Sequence, residues 1–279
     1  MPVNTNIAEA QPDNLVTVRR TMAVLEMLAD AVSGLSLSDI AKELDVNKSI
    51  ALRITGTLEE LNYLYRDSEN RRFYASYKIS NVGLRLLGRA RLLSQCQPEL
   101  RRLAEETGEL VLFSVLDRDQ PRWVMAVTGS RRRLQVEPMT SMEFHSTATG
   151  KAWLATLPDA EVKRILSGRL RPIATNTITD MKQMLAELKA IRATGISFSN
   201  EENEVGIASV AVPIRPAGSS STVGFVSITA PLVRANDEDF ERYRALLLKA
   251  ARVLGDSWPL PATAEFSDGV TIGEGLTVL

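Results

Sequence analysis

Two domains of the α+β class are predicted, and three observations predict them. The chain has 279 residues, 44% of them apolar, enough for two separate hydrophobic cores. Through its first quarter, apolar residues recur at three- and four-residue steps and then give way to a short aromatic hairpin pattern. Further on, helical and strand-like runs alternate, as in an α/β domain with a mostly antiparallel sheet.

The first helix is expected over Thr17–Ala31, where Val18, Met22, Leu25 and Leu28 or Ala29 form one stripe closed by Gly34. A short second helix follows, capped by Ser36 or Ser38, with Leu37, Ile40, Ala41 and Leu44 as its buried face. After Asp45-Val46-Asn47, in which Asn47 caps the next helix, Ile50, Ile54, Leu58 and Leu61 mark a third core stripe ending near Asn62. Two helices across so tight a turn make a helix-turn-helix. Tyr63-Leu64-Tyr65-Arg66 and Arg71-Arg72-Phe73-Tyr74, around the polar Asp67-Ser68-Glu69-Asn70, then read as a β-hairpin wing. The helical pattern returns over Ser80–Leu93 as a linker helix whose Leu86, Leu87, Leu92 and Leu93 suit a dimer seam.

The second domain is expected to contain helices over Pro98–Thr107, Thr149–Leu157, Asp180–Thr194 and Asp237–Leu254. Strands are expected over Leu110–Leu116, Trp123–Val127, Val210–Ile214 and Val223–Thr229. The divisions are a disordered N-terminus over 1–14, a winged helix-turn-helix over 15–78, a linker helix over 79–95, a second domain over 96–257 and an extended tail over 258–279, rich in Pro, Gly and Thr.

Composition narrows the function classes. One cysteine, Cys96, and one histidine, His145, leave no disulfide framework and no His- or Cys-rich metal cage, so no metal or cofactor is expected. A reducing cytoplasm suits such a chain. The first fifteen residues lack the basic and apolar regions of a signal peptide, and no apolar run is long enough to span a membrane. The net charge of −1 gives no global sign of a polyanionic partner. Locally, seven basic residues between Arg66 and Arg91 (Arg66, Arg71, Arg72, Lys78, Arg85, Arg89, Arg91) face two acids, Asp67 and Glu69.

That patch follows a helix whose outer face suits a major groove. At about 100° per residue from Ile50, the third helix's core stripe centres at about 40° and its outward face at about 220°. Lys48, Ser49, Leu52, Thr55 and Gly56 fall there, with Arg53 on the flank. Lys48 and Ser49 suit phosphates or base edges, and Arg53 suits guanine or phosphate. Leu52 suits a thymine methyl, and Gly56 allows close approach of the helix. Ser38 and Asn47 join the DNA-facing set, and Arg71 and Arg72 reach phosphate or minor groove from the wing. The alternatives are a Leu52 packed on a neighbouring chain, a solvated hairpin tip, and a winged helix that docks on protein rather than on DNA.

Enzyme readings fail on spacing. Thr149-Gly150-Lys151 ends like a phosphate-binding loop, but His145 stands where a glycine is needed and Ala152 where a hydroxyl is needed. Gly195-Ile196-Ser197-Phe198-Ser199 lacks the second glycine of a nucleophile elbow. No catalytic residue is assigned.

Several runs in order along the chain carry a family resemblance: Gly34–Leu44 (GLSLSDIAKEL), Asn47-Lys48-Ser49, Arg53, Thr57–Leu61 (TLEEL), His145–Ala152 (HSTATGKA), Asn176–Asp180 (NTITD) and Val205-Gly206. With these, residues 15–255 resemble the IclR family of bacterial transcription regulators. Where that family usually reads Lys-Ser-Thr-x-His-Arg, this chain has Lys48-Ser49-Ile50-Ala51-Leu52-Arg53, so the family's base preference does not carry over. The resemblance implies operator-bound homodimers or homotetramers, repression more often than activation, no catalysis, and a GAF-like effector-binding domain. The pocket it implies is formed by Ala148, Thr149, Ile207, Ser209, Ser227 and Thr229, with Met139, Met142 and Phe144 as walls.

The residues themselves agree in part. Ser209, Ser227 and Thr229 alternate along strands of Val, Ile and Ala and so point to one face, where they meet a ligand, neighbouring backbone or water. The free N–H groups opening the Thr149 helix suit a carboxylate. A small organic acid, aromatic acids included, is the expected effector. His145 reads as structural rather than as a pH switch.

Overall fold

The computed structural model describes residues 15–89, 92–129 and 142–258. The expectations for residues 1–14, for Met139 and for the tail past Trp258 lie outside the described residues, as do the side chains of Leu86, Leu87, Leu92 and Leu93. The chain divides into two compact units at Arg89 and Ala90, each with a core of its own.

The first unit runs α1 (Val16–Asp30), α2 (Leu37–Glu43), α3 (Lys48–Glu60), β1 (Leu64–Arg66), β2 (Phe73–Ala75) and α4 (Lys78–Arg89). Its core joins Val24, Met27 and Leu28 of α1 to Ile40 and Leu44, to Ala51, Ile54 and Leu58 of α3, and to Leu64 and Phe73 of the hairpin. The buried stripe of α1 therefore differs from the expected one: Val18 and Met22 are about half exposed, at 54% and 51%. Ser36 starts α2 with a full capping box, its hydroxyl accepting from the Asp39 N–H while the Asp39 carboxylate accepts from the Ser36 N–H. Gly34 sits at φ +66, where a Cβ would meet Tyr74 Cζ at 2.7 Å and the Phe73 carbonyl oxygen at 2.8 Å. Only glycine fits there, because Leu35 must exchange backbone hydrogen bonds with Phe73 in a single bridge to the wing.

The second unit runs α5 (Leu92–Thr107), β3 (Leu110–Asp117), β4 (Gln120–Thr128), α6 (Ala148–Leu154), α7 (Asp159–Leu166), α8 (Met181–Thr194), β5 (Ser197–Asn200), β6 (Ile207–Ile214), β7 (Gly224–Pro231) and α9 (Asp237–Asp256). The five strands form one antiparallel sheet in the order β4-β3-β7-β6-β5. A two-residue turn joins β3 to β4 with Arg118 and Asp119 both at positive φ, the geometry that matches strand twist. Elements α7 and β5 were not expected from the sequence.

Alternation along the strands gives the sheet two faces. Val111, Phe113, Val210, Val212, Val226 and Ile228 pack on α5 and α9. Ala211 and Phe225 point the other way, under Trp153 and Leu154 of α6, Val162 of α7 and Leu188 of α8. Cys96 lies in the first of these cores, where burial pushes its thiol up to about 11 and leaves it inert. Among the described residues no helix is long and apolar enough to cross a membrane.

Candidate DNA interface and effector face

Helix α3 presents its DNA-facing candidates from a rigid seat. Asn47 caps it, its side-chain oxygen accepting from the Ile50 N–H at 2.9 Å, so this side chain organises the helix start. Lys48, Ser49, Leu52, Arg53 and Gly56 are exposed, and Ser38 is exposed on α2. Thr55 corrects the sequence reading. It is fully buried and donates its hydroxyl to the carbonyls of Ala51 and Leu52. The buried arc of α3 runs through Ala51, Ile54, Thr55 and Leu58, centred at about 90° rather than 40° on the same wheel. Small Ala51 and a back-bonded Thr55 let the helix roll inward, while Leu61, expected in the core, is 50% exposed.

The wing tip is built by two short polar side chains. The Asp67 carboxylate accepts from the N–H groups of Glu69 and Asn70, and the Asn70 carbonyl oxygen accepts from Arg72 N–H. This holds Arg71 at φ 61, exposed at the tip. Arg72 is turned back, half-buried and donating from Nη1 to the Gly34 carbonyl at 2.8 Å. Two other members of the basic run are also engaged. Arg66 lies over the Phe73 ring, and Lys78 lies over Tyr63 while donating to the carbonyl of Leu61 at the end of α3. Tyr65, 52% exposed and stacked on Tyr74, belongs with the wing's outward surface. Its alternation with buried Leu64 was the available signal.

On the sheet of the second unit, directly opposed residues share a face. One row reads Leu110, Thr229, Ser209, Ser199; the next reads Leu112, Ser227, Ala211, Ser197; a third reads Trp123, Ser114, Phe225, Pro213. Ser209, Ser227 and Thr229 thus lie on one face, together with Ser114, Ser197, Ser199 and Trp123, which the sequence reading did not include. The strand-by-strand alternation of Leu110, Leu112 and Ser114 could have found one of them. Thr149 is buried on α6 with its hydroxyl 3.4 Å from that of Ser227. Ala148 is buried beside it, and Ser209, Thr229, Ile207 and Met142 are half-buried. The Trp123 indole N–H and the Ser197 hydroxyl are buried with no hydrogen-bond partner among the described residues.

The α6 start differs from the anion cradle expected of it. Thr147 caps the helix, accepting from the Gly150 N–H at 3.1 Å, and the helix has only seven residues. Gly150 is required because a Cβ there would lie 2.4 Å from Phe144 Cα. Phe144 packs on Trp153 at 4.5 Å between ring centroids. Lys151 is buried, its Nζ 2.6 Å from Glu202 Oε1 and 3.1 Å from Glu187 Oε1. Burial pushes the Glu202 carboxyl above its ordinary range, against the pull of the Lys151 ammonium. His145 is buried with Nε2 2.9 Å from the Arg171 carbonyl, a structural tie.

A capped recognition helix beside a β-hairpin wing with Arg71 exposed at its tip defines a DNA-binding transcription regulator of the winged helix-turn-helix class. The family models agree: residues 17–68 match the IclR helix-turn-helix domain and residues 84–255 match the bacterial transcriptional regulator IclR C-terminal domain. The chain belongs to the IclR family of transcription regulators and is not an enzyme. It is 30% identical to the HTH-type transcriptional regulator BhcR of Paracoccus denitrificans, over 84% of each chain. The structure of the Thermotoga maritima IclR protein matches 88% of this chain and 99% of its own at 28% identity and a TM-score of 0.67. An IclR homologue from Microbacterium hydrocarbonoxydans, complexed with 4-hydroxybenzoate, shares the fold at 21% identity and a TM-score of 0.73, over 87% and 98% of the two chains.

Proposed function

We propose that this regulator is a repressor that leaves its operator when a small organic acid, aromatic acids included, binds the hydroxyl-bearing face of its second unit. The observation that carries the reading is the placement of Ser209, Ser227 and Thr229 on one sheet face, with the Thr149 hydroxyl of α6 3.4 Å from that of Ser227. The indole N–H of Trp123, buried without a hydrogen-bond partner among the described residues, lies on that face too. A buried donor left unpaired costs about 1–3 kcal/mol, and an acceptor oxygen on a ligand relieves it. A carboxylate supplies such oxygens, and 4-hydroxybenzoate in the Microbacterium protein makes aromatic acids the first to test. Ala148, Ile207, Met142 and Phe144 complete the proposed pocket.

In the same reading residues 15–78 bind DNA through Ser38, Lys48, Ser49, Leu52, Arg53, Gly56 and Arg71, with Asn47 seating the helix start and Arg72 tied to the Gly34 carbonyl, residues 79–95 link, and residues 96–257 bind effector. The working form is a homodimer or tetramer, because one winged helix covers only a half-site. The test is a mobility shift of the purified chain on its own upstream intergenic DNA, at two salt concentrations, with and without a panel of acids that includes 4-hydroxybenzoate. A salt-sensitive complex dissolved by one acid is expected, together with a rise in melting temperature with that acid. A complex indifferent to every acid, with no shift in melting temperature, overturns the effector assignment. A complex strengthened by an acid overturns release as the mechanism.

A further inference from the structure

We propose that Leu52 reads the C5-methyl group of one pyrimidine per half-site in the major groove, and that Gly56 keeps the adjoining turn of α3 bare so that the helix can come close enough. The proposal rests on the operator-binding reading and adds the base chemistry that this chain recognises. Leu52 is 51% exposed in the middle of α3, outside the buried arc of Ala51, Ile54, Thr55 and Leu58. Around it the exposed helix positions are Lys48, Ser49, Arg53 and Gly56. A leucine set among a lysine, a serine and an arginine suits a partner that is both apolar and embedded in a polyanion. A thymine methyl in the major groove has both properties.

Gly56 is one helical turn from Leu52 and so shares its face. An added Cβ there would meet nothing within 4 Å, and its φ is not positive. Neither backbone conformation nor packing inside this unit requires a glycine at position 56. A mid-helix glycine with no such reason disfavours the helix relative to alanine, so the bare position is explained by something outside the unit that approaches closely. Arg53, Lys48 and the wing-tip Arg71 supply the phosphate attraction that holds the helix in the groove, and the leucine contributes selectivity without charge.

Because thymine and 5-methylcytosine carry the methyl at the same ring position, the contact also makes binding sensitive to cytosine methylation at that base pair. The test uses the full-length chain and a duplex selected from random double-stranded DNA, with each thymine replaced in turn by deoxyuridine. At one position in each half-site, removal of the methyl is expected to weaken wild-type binding about three- to fivefold, roughly the worth of one buried methyl. Leu52→Ala, at an exposed site, is expected to bind the thymine and deoxyuridine duplexes equally, with the salt slope unchanged. At that same position 5-methylcytosine is expected to bind tighter than cytosine. Gly56→Ala is expected to fold at least as stably as wild type and to lose affinity for every duplex.

A wild-type protein that binds specifically yet ignores every thymine-to-deoxyuridine change overturns the proposal and leaves the regulator intact. So does a Leu52→Ala protein that keeps the deoxyuridine penalty. A Leu52→Ala protein with altered oligomeric state and unaltered base preference assigns the residue to a contact between chains instead. Failure to select any duplex in a salt-sensitive manner removes the operator-binding reading itself, and the proposal with it.

Discussion

The two units use their polar residues in opposite ways. In the first, Lys48, Ser49, Arg53 and Arg71, proposed to face DNA, are exposed, and the core beneath them is almost wholly apolar. In the second, Thr149, Ser227, Ser199, Lys151 and Glu202 are all buried, under helices that also cover Ala211 and Phe225. A surface that meets DNA needs charges kept in water until contact, so its groups add little to stability and can be changed freely. A face that encloses a small ligand must already have removed its polar groups from water, so each needs a partner within the fold or in the ligand. Mutations of these exposed groups should therefore alter binding alone, whereas those of the buried polar groups in the second unit should alter stability as well.

The sharpest break of that contrast is Lys151→Met. It leaves Glu202 buried without its cation, and the second unit is expected to lose about 3–5 kcal/mol, read by urea unfolding near neutral pH. Since burial already favours the protonated form of Glu202, the loss should shrink in acid. A loss that is the same at every pH would mean that Glu202 is not the group left stranded. The sign in the wild type follows from the same shift. A carboxyl whose folded pKa is raised favours folding below its unfolded pKa, and this contribution fades as pH rises through the folded value. Glu202→Gln should remove that decline.

Next in size is Gly34→Ala, which sets a Cβ against the wing at a positive φ. A cost of about 2 kcal/mol to the first unit is expected, by thermal unfolding, with the second unit unaffected. Arg53→Ala is expected to weaken operator binding by about 1–3 kcal/mol while moving stability by less than about 0.5 kcal/mol. Equal losses of binding and stability would erase the distinction between the units. Ser36→Ala should cost about 1 kcal/mol through the lost capping box. The smallest effect is at Asp39, whose carboxyl the Ser36 hydroxyl and N–H hold below its ordinary range. A depressed pKa adds stability above the unfolded value that is lost as pH falls through the folded one. Acid titration of Asp39→Asn should therefore lack the low-pH part of the wild-type decline.

Much of this was legible in the chain. The helix-turn-helix showed because three helices carry their own periodicity and two of them local caps: Ser36 and Asn47 are signals acting over three residues. The hairpin showed in its polar turn, and α9 showed in its long helical period, its capping box of Asn236 and Asp239 being seen only in the structure. Strand β5 did not show, since Ser197-Phe198-Ser199-Asn200 has too little apolar content to declare itself and becomes a strand only by pairing with β6. The roll of α3 that buries Thr55 did not show either, because Ala51 and Thr55 are acceptable on either side of a helix until a neighbour packs against them.

By itself, then, the sequence determined the order and type of most elements, the two-unit plan and the family, because these rest on caps, periodicity and motifs within a few residues of one another. Only the tertiary structure decided which hydroxyls share a face, which cations remain exposed and which close on carbonyls or carboxylates. Ser199 and Ser209, Thr149 and Ser227, Lys151 and Glu202, and Arg72 and Gly34 are brought together by strand register and helix packing. Such contacts join residues far apart in the chain, and no local pattern encodes their distance.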